Sequence, residues 1–540
     1  MKPFGLALCV CFSLLCLLPG AHALDMSEAE RSSVVVREAL ALGRKGNWDA
    51  AEARVADADP LIRDIILWRK LRADAGTLAE YNAYIARRPD WPGQTQLKSI
   101  YAPGTIPFER EEMSEFAREN LNSFNDLYSK RDYEAAALLL AGITTELAPL
   151  GQPERWSDRR RRLARREARF GNGRRAYTLA AFHFLRADAG YAYADLEWIA
   201  GWTALTMLGE PGRAAGHFER FAAAVQTPIS LGRAGYWAGR AYEALGDQAA
   251  AERWYRSGAN YQTSFYGQLA AAKVDAAPDV RLARSAAGSW RSHPLADDED
   301  LRLAAILHHA GQERLAFAVL AGKAKRVESA SAFEALGALG LELGRPDYAV
   351  RIGKAAALEG IVLPGIYYPL HELAEYANRV EPAFAMSVAR QETELNPEAI
   401  SPAGARGLMQ LMPGTAKKVA GWIDEPYSRA RLTKDWQYNA RLGQTYLARR
   451  TDQFSGSYVL AAAAYNAGAH RVDQWIEAYG NPLGPGSSVE GMINWMERIP
   501  FRETRNYVQR VMEGLYVYRT RLSGSAEPMT IERDLSRGMR

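Results

Sequence analysis

Residues 382–416 read PAFAMSVARQETELNPEAISPAGARGLMQLMPGTA. Ala385, Val388, Ala389, Glu392 and Leu395 recur at i, i+3, i+4, i+7 and i+10, which is one face of a helix. Glu392 lies in the middle of that apolar stripe. Glu394 is turned away from it by roughly 200° at 3.6 residues per turn. It shares a face with Arg390, so it reads as a surface carboxylate with an i, i+4 partner. Asn396 precedes Pro397, which disfavours helix there, and Glu392 therefore stands about one turn from the helix end. A carboxyl among apolar side chains resists ionisation, because low-dielectric surroundings penalise its charged form. Such a group is either a general acid near neutral pH or a buried glutamate hydrogen-bonded to backbone.

The residues that follow bear on that choice. Gly404, Gly407 and Gly414 open a loop whose backbone can approach a ligand closely. Met409 brings a polarizable apolar surface, and Gln410 an amide that both donates and accepts. These groups suit sugar rings, which are polar at the rim and apolar on the face. Pro413 fits the first turn of the next helix. Further on, LAAAAYNAGAHRVDQW, residues 460–475, reads as a small-residue helix capped by Gly468, with Tyr465 and Asn466 presented at its end. In ERIPFRETRNYVQRVMEGLYVY, residues 497–518, Pro500 breaks the chain and Tyr507, Val511 and Leu515 resume a helical spacing. Tyr507 reads as core. Glu497 precedes the break, where a side chain can face a cleft.

Upstream, residues 25 to 365 read as helix after helix, with apolar residues recurring at three and four. Breaks of one form punctuate them: a helix ends at Gly, a polar turn follows, and an Ala-rich helix begins. Aligning Gly209 with Gly246 gives an offset of 37 residues, and Gly311 with Gly344 an offset of 33. Trp202, Phe218, Trp237 and Trp254 are placed to fill the space between helix pairs. The pattern is that of tetratricopeptide-like hairpins in a degenerate α-superhelix. The fold class expected is mainly α: the superhelix followed by a compact, predominantly helical C-terminal domain.

Composition narrows the function. The 67 Lys and Arg against 63 Asp and Glu give a formal charge of +4, and Lys2 carries one of these. The basic cluster DRRRRLARREAR, residues 158–169, reads as a solvated helix face, and no nucleic-acid partner is expected. Residues 5–18, GLALCVCFSLLCLL, form a short apolar run before a small-x-small AHA at 21–23, the pattern of a secretory signal peptide. Its length is short for a membrane span, so no stable membrane insertion is expected. Cys9, Cys11 and Cys16 all lie in that segment, leaving no thiol chemistry beyond it. The eight histidines offer no HExxH metal motif, no GxSxG elbow occurs, and no cofactor is implied.

In this order, RQE at 390–392, NP at 396–397, SPAGARGLMQLMPGTA at 401–416, AYNAG at 464–468 and ERIPFRETRNYV at 497–508 resemble the catalytic domain of soluble lytic transglycosylases. The upstream superhelix resembles that of the large ring-forming members, and FYGQLAA at 265–271 is similar to a segment of it. The resemblance implies a signal peptide at 1–23, an α-superhelical domain at 24–290 and a helical linker domain at 291–365. A lysozyme-like transglycosylase domain at 366–525 and a loose tail at 526–540 follow.

By the same resemblance, Glu392 is the catalytic residue. Ser401, Gly404, Met409, Gln410, Tyr465, Asn466 and Glu497 bind substrate. Ala469 and His470 depart from the Pro-Gly more usual in that loop. The implied reaction cleaves the MurNAc–GlcNAc bond of peptidoglycan without water and leaves a 1,6-anhydro ring. The implied setting is the periplasm, with glycan strands and other cell-wall enzymes as partners. A goose-type lysozyme hydrolase and a non-catalytic wall scaffold are the rival readings.

Overall fold

The computed structural model describes residues 25–94, 97, 114–143, 153–283, 288–376 and 379–540. Residues 1–24, where the sequence leads one to expect a signal peptide, and with them all three cysteines, lie outside the described residues. Every helix or strand among those residues is helical apart from two isolated bridges, Ile400–Arg406 and Arg406–Leu411. The protein is mainly α. No described helix is long and apolar enough to cross a membrane.

The chain divides into two compact units: residues 1–104 with 289–327, and residues 105–288 with 328–540. In the first unit, Thr77 and Glu80 form a reciprocal capping box that starts the helix Leu78–Arg87. Trp68 is buried edge-on to Trp91, with ring centroids 5.3 Å apart. Ion pairs join the two separate stretches of this unit. Arg302 reaches Glu28 at 2.7 Å and Asp59 at 3.1 Å, and Arg88 reaches Glu299 at 2.5 Å.

The second unit begins with helical hairpins. Gly209 and Gly246 both take left-handed backbone, φ 66° and 79°, and each caps the helix before it. Gly311 and Gly344 adopt the same conformation in the other two breaks. Trp202, Phe218 and Trp237 are buried, while Trp254 is only half-buried. Between Pro228–Leu245 and Gln248–Ala259 the backbones nearly touch: a Cβ on Gly235 would lie 2.5 Å from Gly258 Cα.

The C-terminal part of this unit is built on two helices, Pro382–Thr393 and the 22-residue Arg502–Ser523. The Ser387 hydroxyl donates to the Val511 carbonyl at 2.6 Å, an approach that Gly514 permits by lacking a Cβ. Phe384 stacks on Tyr458 at 4.1 Å, and Arg519 clamps Glu381 at the start of the shorter helix. The FYGQLAA segment docks onto this pair. Phe265 N–H donates to the Glu513 carboxylate at 2.8 Å, and the Gln268 amide donates to the Glu513 carbonyl at 2.9 Å.

Three expectations change. Residues 526–540 are not a loose end: Ile531–Leu535 is a short helix whose two terminal apolar residues are buried, and Arg519 holds Asp534 at 2.5 Å. Arg390 does not pair with Glu394. It turns inward, 4% exposed, donates to the Tyr367 carbonyl at 2.9 Å and lies over the Tyr368 ring at 3.9 Å. Glu394 pairs with Arg351 and Lys354 instead. The helix ends after Thr393, and Glu394 and Leu395 both take positive φ, 58° and 70°, which redirects the Glu394 side chain. The arginine run of residues 158–169 is also not a solvated face, since Arg160 is 1% exposed and Arg161 and Arg165 are largely covered.

Candidate active site

Glu392 sits in the last turn of Pro382–Thr393, half-buried. Burial pushes its carboxyl up from 4.5 to about 8. A hydrogen bond from Tyr507 opposes this shift, and the negative charge of Glu503 adds to it. At neutral pH the carboxyl is therefore mostly protonated, and its partial solvent access leaves that proton reachable.

Tyr507 is the direct partner: its hydroxyl donates to Glu392 Oε1 at 2.7 Å. It is 3% exposed, so the core reading was correct but incomplete. Burial and the Glu392 charge hold its own pKa well above the ordinary phenol value, so it acts only as a neutral donor. Tyr465 is likewise raised by burial and by Glu392, and its hydroxyl donates to the Met409 carbonyl at 2.8 Å. Asn466 follows at the helix end, where the Thr504 hydroxyl donates to its Oδ1 at 2.6 Å.

The loop of residues 401–412 is tied to this helix end. The Thr393 hydroxyl donates to the Leu408 carbonyl at 2.8 Å. Gly407, at φ 75°, has no room for a side chain: a Cβ would stand 1.9 Å from the Leu432 carbonyl oxygen. Asn439 threads the loop from behind, accepting from Met409 N–H at 2.8 Å and donating to the Arg406 carbonyl at 2.8 Å. Ser401 Oγ accepts from Ala405 N–H at 3.0 Å, and Ser401 and Gly404 keep partial exposure. The Gln410 amide donates to the carbonyls of Ala399 and Gly407, and its oxygen has no hydrogen-bond partner among the described residues. Met409 is fully buried, its sulfur packed against Gly443.

Glu392, Tyr465, Asn466 and the loop residues thus gather at one helix end. Glu497 does not join them at the surface. It is 2% exposed and accepts from Tyr266 at 2.6 Å, Gln509 at 2.8 Å and Arg233 at 2.9 Å. Although burial opposes it, the guanidiniums of Arg233, Arg505 and Arg165 hold its pKa below the ordinary carboxylate value. Glu497 is therefore a charged tie between the repeat helices and the C-terminal part at neutral pH. Sequence reasoning missed Tyr507 as a site residue, Thr504 as the brace of Asn466 and Asn439 as the brace of the loop. Among the described residues no group of three or more His, Cys, Asp or Glu converges as metal ligands.

Residues 370–483 match the family described as Transglycosylase SLT domain, and residues 498–527 match the one described as Soluble lytic transglycosylase helical domain. The soluble lytic murein transglycosylase of Escherichia coli strain K12 is 38% identical over 150 residues, 28% of this chain and 22% of that protein. The putative soluble lytic murein transglycosylase of Haemophilus influenzae is 36% identical over 167 residues, 31% of this chain and 27% of that protein. The matched stretch thus spans about a quarter of the length of these curated relatives. Among solved structures, the 70 kDa soluble lytic transglycosylase of Escherichia coli aligns with 96% of this chain and 91% of its own, at 18% identity and a TM-score of 0.47.

Proposed function

We propose that this chain, whose residues 370–483 belong to the transglycosylase SLT domain family, is a lytic transglycosylase that cleaves the MurNAc–GlcNAc bond of peptidoglycan. The observation that carries the reading is the Glu392 carboxyl at the helix end, held by Tyr507 at 2.7 Å and raised by burial to about 8. Glu392 gives its proton to the glycosidic oxygen as the bond to C1 of the muramic residue breaks. The substrate's own 2-acetamido group stabilises the positive centre, a substrate-assisted route. Glu392, now ionised, accepts the proton of the muramic C6 hydroxyl as that oxygen bonds to C1. The ring closes as a 1,6-anhydro sugar, no water is consumed, and Glu392 returns to its starting state.

The surrounding geometry supports the division of labour. Tyr507 donates to Glu392 more strongly once the carboxylate is charged, as charge-assisted hydrogen bonds are stronger. Asn466, fixed through its oxygen by Thr504, keeps its N–H groups for the acetamido carbonyl. Ser401, Gly404 and the Gln410 oxygen line the sugar groove. Met409 and Tyr465 shape it from behind, and Glu497 anchors the C-terminal part to the superhelix. The apolar segment at residues 5–18 supports export to the periplasm.

Hydrolysis is the competing outcome, in which a water takes the place of the muramic C6 hydroxyl at C1. Mass spectrometry of products from isolated cell walls separates the two by one water. Anhydro-muropeptides released by the wild-type chain and absent with Glu392→Gln are the expected result. Hydrated ends, or normal turnover by that variant, would overturn the assignment.

A further inference from the structure

The inward turn of the arginine run builds something of its own. The helix Pro153–Arg169 contributes Arg161, Arg162, Arg165, Arg166 and Arg169 to one wall of a cavity of about 550 Å³. Arg502 and Arg505, from the first turn of Arg502–Ser523, form the facing wall. Tyr128, Tyr133 and Tyr479 add ring faces and hydroxyls between them. A second cavity of about 590 Å³ shares Arg165, Asp195, Arg502 and Arg505 with the first.

The carboxylates nearby are few and engaged. Asp195 accepts from Arg161 and Arg165, each at 2.9 Å, and Asp158 pairs with Arg162 at 2.7 Å. Glu167 takes Arg166 at 2.7 Å behind the wall. Arg169 and Arg502 have no carboxylate partner among the described residues. Arg502 lies instead over the Tyr191 ring at 4.9 Å. Burial and the neighbouring Arg165 push Arg505 down to about 9 against the opposing charge of Glu497, and burial lowers Arg169 as well, with Arg165 and Arg166 adding to the fall and Tyr479 and Glu167 opposing it. Glu497 lies behind Arg165 at 3.5 Å and Arg505 at 3.6 Å, but Arg169 and Arg502 leave the recess with a cationic excess, which an anion relieves; guanidinium forks match carboxylates two oxygens at a time.

The recess also communicates with the site. Arg502 and Arg505 begin the helix that carries Thr504 to Asn466 and Tyr507 to Glu392. The geometry points to a second ligand site here, one that takes the carboxylates of an acidic peptide branch on the same polymer whose sugars meet Glu392. The identity of that polymer rests on the transglycosylase reading above; the recess itself does not.

The test uses the full-length Glu392→Gln chain and two probes. One is a tetrasaccharide of alternating N-acetylglucosamine and N-acetylmuramic acid bearing acidic peptide stems. The other is the same tetrasaccharide with the stems removed. The stem-bearing probe should bind about tenfold tighter or more, and added salt should shrink that advantage. Arg169→Gln and Arg502→Gln, each introduced separately, should remove most of it without weakening binding of the bare sugar. Arg169→Lys, which keeps the charge, should retain part of it. Equal binding of both probes, or a stem preference untouched by either glutamine variant, would overturn the recess alone. So would Arg169-dependent binding of inorganic phosphate with no stem preference, which would mark a site for free anions. If neither probe binds and the unsubstituted chain releases nothing from cell wall, the reading it rests on falls too.

Discussion

Replacing Glu392 with glutamine separates its charge from its shape. Its pKa is 4.5 in the open chain and about 8 when folded, so at pH 7 folding makes this side chain take up a proton. A folded-state pKa above the unfolded one contributes stability that is fully present below about pH 4.5 and is lost as pH rises through about 8. The loss accumulates at about 1.4 kcal/mol per pH unit, reaching about 3 kcal/mol at pH 7. Because Glu392 keeps partial solvent access, that figure is an upper bound. Glutamine is neutral at every pH and still offers Tyr507 an oxygen. Glu392→Gln should therefore be more stable than wild type by up to about 3 kcal/mol at pH 7, with the gap closing toward pH 4.5. Urea denaturation of both chains across that range, followed by tryptophan fluorescence, reads the gap, since the titrating groups that do not interact with Glu392 cancel in the comparison. A pH-independent gap, or a wild type that gains on the variant as pH rises, would refute a buried, proton-bearing carboxyl.

Tyr507→Phe removes the one hydrogen bond that favours ionised Glu392, worth about 1 kcal/mol. Its turnover should fall, and the alkaline limb of its pH–rate profile should move up by somewhat under one pH unit; an unmoved limb would show that the bond does not act on the carboxyl. Gly407→Ala forces a Cβ into the Leu432 carbonyl at a left-handed position, so thermal unfolding should show a loss above about 2 kcal/mol. Glu497→Gln leaves buried guanidiniums without their counter-charge, a loss of about 3–5 kcal/mol in denaturant titration. Because the Glu497 pKa is depressed in the fold, that difference should shrink as pH falls below the ordinary carboxylate value.

What could be read in advance was local. The apolar stripe at i, i+3, i+4 and i+7 located Glu392 on its helix. The four glycines at 209, 246, 311 and 344 marked turns because left-handed backbone at a helix end selects that residue. What could not be read depends on partners far along the chain. Tyr507 lies 115 residues from Glu392, and its helical spacing says only that it faces inward. Glu497 reads as a cleft residue until Arg165, Arg233 and Tyr266 are brought to it by folding. The same long-range pairing turned the arginine run from a wet face into a lining. Glu394 and Leu395 misled for a different reason: nothing in their residue types announces left-handed backbone.

The tie at Glu497 has a further consequence for how this molecule can be divided. A fragment beginning near residue 365 would keep Glu392 and its loop but lose Arg165, Arg233 and Tyr266. The face around Glu497 that those side chains cover would open to water, and the Phe265 amide that steadies Glu513 would be missing. The C-terminal part is thus no portable cassette to be grafted onto another scaffold, and the repeats are as much its missing wall as its neighbour.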